Sequence, residues 1–185
     1  VTKCGGVLSV ETIIVSLIVM SIILFGALTI SQSYLSSQDA ILASWREMEE
    51  RTGERARTDL SPIGAETRSE GTIVEATLSN EGDTKLADFD QWDVIVQYYT
   101  TGGDYNIRWL PYTEAAEPGD NQWTVVGIYL DAAAATPEVY EPGILNPGEE
   151  IVIRMGVSPP VGVGTTNLAT IATPNGISAS VIFTR

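Results

Sequence analysis

Two places in the chain carry side chains whose type and spacing can do chemistry. Asp83, Asp88, Asp90 and Asp93 crowd the segment EGDTKLADFDQWD, and carboxylate-rich loops bind hard cations such as Ca²⁺ through oxygen. Their spacing lacks the ordered pattern of an EF-hand, so a solvated acidic loop is the plainer reading. No metal site is expected, these four carboxylates being the nearest candidates. The second place is Glu11, the single ionisable side chain in the run VLSVETIIVSLIVMSIILFGALTI from Val7 to Ile30. An unpaired carboxylate among apolar helices costs several kcal/mol, so it must be neutral, lie near an interface, or find a cation. Two readings follow. Glu11 lies at a membrane headgroup level, or it pairs with the α-amino group or Lys3 of a neighbouring copy and sets the axial register of an assembly.

Catalytic chemistry has little to work with. The chain contains no histidine, which removes the commonest general base and the commonest zinc ligand. Lys3 and Lys85 are its only lysines, and neither sits in a motif that could activate a serine. No GxxxxGK phosphate loop occurs, and Gly162 and Gly164 fall in SPPVGVGTTN, a loop rather than a strand-to-helix turn. Catalytic residues and cofactors are therefore both expected to be absent, and the chain is expected not to be an enzyme. The lone cysteine, Cys4, can make no intrachain disulfide. No Asn-x-Ser/Thr sequon occurs.

These residues ride on elements of contrasting character. At about 1.5 Å per residue, a helical Val7–Ile30 segment would be about 36 Å long, enough to cross a bilayer. Its apolar core is longer than that of a secretory signal peptide, and no small-residue cleavage site follows it. Beyond Ile30 the sequence turns polar, yet Tyr34, Ile41, Trp45 and Met48 recur at helical offsets, with Leu35 and Leu42 alongside. Glu47 and Arg51 form an i, i+4 pair, and Gly53 is a natural stop. One helix from about residue 7 to about residue 51 results, apolar all round and then striped. Val15, Ile18, Ile22, Phe25 and Leu28 are its expected packing residues, and Tyr34, Ile41, Trp45 and Met48 its outer stripe.

A single-pass membrane anchor is one reading of this helix. Against it, only Lys3 precedes the apolar run and no Lys or Arg follows until Arg46, whereas anchors are flanked by basic residues. Ser9, Thr12, Ser16, Ser21, Gly26 and Thr29 are threaded through the run, and small residues let helices approach closely.

Residues 58–70, with Pro62 and Gly64, read as a hinge. From 71 to 185 the chain alternates apolar and polar residues in seven expected strands: 71–79, 92–99, 105–110, 122–130, 149–157, 166–172 and 177–183. Between them lie turn phrases such as Glu117-Pro118-Gly119-Asp120, Asn146-Pro147-Gly148 and Pro174-Asn175-Gly176. The expected fold is α+β, a long N-terminal α-helix (region 1–57) followed by an antiparallel immunoglobulin-like β-sandwich. Formal charge is concentrated in the second part: residues 61–185 carry five basic and seventeen acidic side chains, a net of −12 out of −14. That sign repels phosphate backbones, so nucleic acid is not an expected partner.

This layout resembles the type IV pilin superfamily, including the archaellins of archaeal swimming filaments. The run GGVLSVE is similar to the pilin processing site, where cleavage follows a Gly and a Glu stands fifth in the mature chain; Glu11 is fifth if the cut follows Gly6. The chain opens on Val rather than Met, consistent with an upstream segment having been removed. TIVEATLSNEGDT, LNPGEEIVI and TPNGISASVIF are similar to the β-domain of archaellins and of related pseudo-periplasmic accessory proteins. The resemblance implies a homo-oligomeric helical filament at the cell surface, serving motility, whose subunits sit in the membrane before assembly. A leader peptidase and an assembly machinery are implied as partners. An adhesive pilus subunit and a membrane-anchored binding module with an exposed β-domain are the alternatives.

Overall fold

The computed structural model describes residues 10–185, which fall into two compact units, one ending at Glu50 and one comprising Arg51–Arg185. The first unit is helix. α1 runs Val10–Arg57, about 72 Å at the usual rise, and its last two turns belong to the second unit. Isoleucine and valine are mediocre helix formers in water. In an apolar setting, however, a helix satisfies every backbone N–H and C=O within one segment, which no isolated strand can do. No α1 side chain is buried in the isolated chain.

The second unit is a sandwich of two antiparallel sheets. Its strands are β1 (Leu60–Arg68), β2 (Ile73–Asn80), β3 (Asp93–Tyr99), β4 (Tyr105–Leu110), β5 (Trp123–Asp131), β6 (Thr136–Pro137), β7 (Glu150–Gly156), β8 (Thr166–Ala172) and β9 (Ser178–Thr184). One sheet has the order β1-β2-β7-β5-β6 and the other β4-β3-β8-β9. The period-two pattern sets which residues face inward: β3 buries Val94, Val96 and Tyr98, and β9 buries Ala179, Val181 and Phe183. These meet Val74, Ala76, Leu78, Ile151, Ile153, Met155 and Trp123 from the facing sheet. Tyr112 packs edge-on against Trp123 with ring centroids 5.0 Å apart.

All seven expected strands are present. The expected hinge is not one: residues 60–68 form β1, paired with β2 from Leu60↔Asn80 to Arg68↔Ile73. Pro62 and Gly64, which suggested a break, instead mark a register shift. β1 is an edge strand, where a missing N–H and a bulge are both tolerated. The end of α1 is also tied down. Asp83 N–H donates to Arg57 O at 2.7 Å, Glu81 and Gly82 N–H to Asp59 O at 2.9 and 3.2 Å, and Thr58 Oγ1 to Glu54 O at 2.9 Å. Arg55 reaches Gly176 O at 3.3 Å, and Asn175 Nδ2 donates to Thr58 Oγ1 at 2.7 Å. Carbonyls that a helix end leaves without partners are thereby satisfied. Gly82 is required for this closure, because a Cβ there would lie 2.4 Å from both Arg57 O and Asp59 N.

Candidate interaction surfaces

α1 presents the largest unsatisfied surface. Val15, Ile18, Ile22, Phe25 and Leu28 are 53–71% exposed, as are Tyr34, Ile41, Trp45 and Met48 at 56–67%. By length and composition this helix can cross a membrane. Several of its hydroxyls are satisfied within the helix: Ser16 Oγ donates to Ile13 O at 2.9 Å, Ser21 Oγ to Leu17 O at 2.8 Å, and Thr29 Oγ1 to Gly26 O at 2.9 Å. Ser31, Ser37 and Ser44 bond back one turn in the same way. The hydroxyls of Ser16, Ser21 and Thr29 in the greasy run are thus compatible with dry packing. Glu11 stands exposed in the first turn of α1 as described, where the amino end of the helix dipole favours a carboxylate. Its expected partner Lys3 lies outside the described residues.

The four aspartates of the acidic loop go to different places. Asp83 sits under the end of α1 through its N–H. Asp88 has a left-handed backbone, φ 51°, Asp90 lies in a short 3₁₀ turn, and Asp93 accepts a 2.8 Å hydrogen bond from Trp109 Nε1. Among the described residues, no three His, Cys, Asp or Glu side chains come together as a metal site.

A half-hidden ionic chain lies across the outer face of the five-stranded sheet. Glu75 on β2, only 7% exposed at its side chain, accepts from Arg154 Nε at 2.6 Å and pairs with Arg68 at 2.9 Å. Arg154 also pairs with Glu117, and Arg68 with Glu66. The hydrogen bond to Glu75 above all holds the Arg154 guanidinium above its ordinary value, against the opposing effect of burial. Three carboxylates share two guanidinium groups and each has an ionic partner, so this cluster offers cross-strand stability rather than a reactive group. Burial likewise pushes the Tyr98 phenol up, partly offset by Arg108, and among the described residues its buried hydroxyl has no hydrogen-bond partner.

Sequence reasoning passed over one further surface. The outer face of the four-stranded sheet carries Tyr99 from β3 and Tyr105, Ile107 and Trp109 from β4, exposed by 43–61%. Register places Tyr105 opposite Tyr99, Ile107 opposite Gln97 and Trp109 opposite Ile95. The two tyrosine rings lie 5.0 Å apart, and Tyr105 Oη donates to Gln97 Oε1 at 2.9 Å. The alternation Tyr-Asn-Ile-Arg-Trp in β4 was the available signal: large apolar residues at every second position predict one greasy face. It does not say whether that face is the inner one.

No protein-family profile matches the chain. It is 23% identical over 175 residues to an uncharacterized protein of Archaeoglobus fulgidus, spanning 94% of each chain. Among solved structures it is similar to the archaeal flagellum of Methanospirillum hungatei strain JF1, with TM-score 0.50, 13% identity, and 93% and 92% of the two chains covered. It is also similar to the archaellum periplasmic stator protein FlaG from Sulfolobus acidocaldarius (TM-score 0.49, 24% identity, 68% of this chain and 99% of that one). A further match is the complex of FlaF and FlaG from the same organism (TM-score 0.48, 23% identity, 67% and 87%). The flagellum match extends over the helix as well as the sandwich and is a likeness of fold.

Proposed function

We propose that this chain is a non-enzymatic structural component of the archaeal cell surface, a filament subunit of archaellum type whose α1 packs against copies of itself. The observation that carries this reading is α1: a 48-residue helix with every described side chain unburied, attached to a sandwich that already has its own core. Burying a large apolar side chain away from water is worth about 1.5–3 kcal/mol, so the helix must be covered by lipid, by protein, or by each in turn. The small residue Gly26 favours protein, because it lets helices approach closely. The back-bonded hydroxyls are tolerated there as they are in lipid. The flagellum fold supports the same reading, since it pairs a helix and a sandwich over the same extent of chain. Before assembly the helix resides in the membrane, and the acidic sandwich stays on the outside.

Ile18→Asp tests the proposal. A carboxylate at this position strongly disfavours dry helix packing, so the variant is expected to be made at normal levels, remain with the membrane fraction, and yield no fibres. Normal fibres from the variant would overturn the reading. A lone anchored module is the second reading, and it predicts that Ile18→Asp acts only by weakening membrane insertion, with every inserted copy keeping its surface function.

A further inference from the structure

The outer faces of the two sheets differ in charge. Glu66, Arg68, Glu75 and Arg154 form ion pairs across the five-stranded one. On the four-stranded one, alternation and register set Ile95, Gln97 and Tyr99 of β3 beside Trp109, Ile107 and Tyr105 of β4. β8 and β9 continue this face with aliphatic and hydroxyl residues. Its one charged side chain is Asp93, at a corner, and that carboxylate accepts from Trp109 Nε1 at 2.8 Å. In a chain of net charge −14, a face with no free charge suits a neutral ligand.

Within this face Tyr99, Tyr105, Gln97, Thr166, Leu168 and Ile182 line a shallow depression of about 390 Å³, in the range of small-ligand sites. Leu168 and Ile182 supply apolar surface. The two tyrosine rings, 5.0 Å apart and inclined at 49°, both border the depression. Gln97 Oε1 accepts from Tyr105 Oη at 2.9 Å, which fixes the amide, and among the described residues its Nε2 has no acceptor. The Thr166 hydroxyl is likewise without a partner among them. Apolar and aromatic walls with a few placed polar groups are the usual composition of such a site.

Geometry narrows the class of ligand. The uncharged face measures about 19 by 20 Å, or about 400 Å², against the roughly 800 Å² that each partner gives to a stable protein interface. An extended peptide gains affinity from ladder hydrogen bonds, but β3 and β8 are each paired on both sides and have none to give on this face. Nucleic acid brings phosphates that the acidic sandwich repels. A pyranose ring matches the face on both counts. Its weakly positive C–H bonds are attracted to the negative face of an aromatic ring, and its hydroxyls bond to amide and hydroxyl side chains. Tyr105 and Trp109 lie about 14 Å apart along β4, a distance that several linked sugar units span and a single one does not.

We propose that the outer face of the four-stranded sheet binds a neutral oligosaccharide, with one unit against Tyr99 and Tyr105 in the depression and a later unit against Trp109. Tyr105 and Trp109 are already anchored by Gln97 and Asp93, which lowers the ordering cost of binding. The site does not depend on what covers α1, so it goes beyond the proposed function.

Saturation-transfer NMR and titration of the full-length chain, held in a detergent without a sugar headgroup, test this. The probes are neutral tetrasaccharides of glucose, mannose, galactose and N-acetylglucosamine, each beside its disaccharide. At least one tetrasaccharide is expected to bind, and more tightly than its disaccharide. Tyr105→Ala should weaken both lengths about tenfold, and Gln97→Ala should weaken both as well. Trp109→Ala should weaken only the tetrasaccharide, to the level of the disaccharide. Tyr140→Ala, an exposed tyrosine outside this face, should change nothing. In the unmodified chain the bound sugar should also shift the side-chain amide signal of Gln97, a readout that needs no variant to fold. Absence of saturation transfer to all four tetrasaccharides, or binding that survives both aromatic substitutions, would overturn the inference. So would a concentration-dependent dimer that Tyr105→Ala abolishes, which assigns the face to a second copy. Sugar binding by a chain that never forms fibres would uphold the site and defeat the proposed function, and fibres from a chain that binds no sugar would do the reverse.

Discussion

α1 and the sandwich are built from similar apolar residues and put them to opposite use. In the sandwich Val74, Leu78, Val94, Ile151, Ile153 and Trp123 are fully buried, whereas in α1 Ile18, Ile22 and Phe25 are 53–71% exposed. The first region is complete within one chain. The second has the apolar surface of a core without its other half, so its native surroundings must come from outside the chain. Stability and assembly should therefore respond to different substitutions.

The largest expected effect on the sandwich is that of Trp123→Ala. Removing a fully buried indole from between β5, Tyr112 and the facing sheet should cost about 4 kcal/mol. Hydrogen exchange should then show β2 and β7 amides losing about three orders of magnitude in protection. Phe25→Ala, also the removal of an aromatic ring but from α1, should leave those amides unchanged; an equal loss would break the comparison.

Glu75→Gln is expected to cost less, about 2 kcal/mol, by taking a charge from Arg154 and Arg68 while Glu117 and Glu66 remain. The pH response follows from the raised Arg154 value. A cation whose value is raised on folding contributes fully below its unfolded value and loses that contribution only as pH climbs through the folded one. Raising pH from about 7 to about 9 should thus leave Arg154's share of the gap between wild type and Glu75→Gln unchanged. A gap that closed over this range in thermal melts would show that the pair is not what Glu75 contributes. The smallest effect is expected for Tyr34→Ala: within about 0.5 kcal/mol for the sandwich, as for an ordinary exposed residue, with any consequence confined to assembly yield.

Much of this was legible in the sequence because two periodicities carry it. The run from Val7 to Ile30 and the spacing of Tyr34, Ile41, Trp45 and Met48 announce α1, and the alternation in segments such as DVIVQYY and SASVIFT announces β3 and β9. β1 was hidden because Pro62 and Gly64 are read locally as breakers, whereas an edge strand with a register shift accommodates both. The tie between Gly82 and the end of α1 was equally hidden, since it joins residues distant in sequence through backbone atoms. The greasy face of β4 shows in the alternation of YNIRWL, but nothing local reveals which face the second sheet covers. Asp83, Asp88, Asp90 and Asp93 looked like a group by number alone, and turns send them in different directions.

The central claim is that copies of α1 provide for one another the surroundings that the single chain lacks. Cryo-electron microscopy of material sheared from the cell surface, with this chain identified in it by mass spectrometry, tests that most directly. The expected result is a fibre whose centre is a bundle of helices, with Val15, Ile18, Ile22, Phe25 and Leu28 enclosed by neighbouring copies and the sandwiches outermost. Recovery of the intact chain only as dispersed single copies in the membrane, under every growth condition, would contradict it.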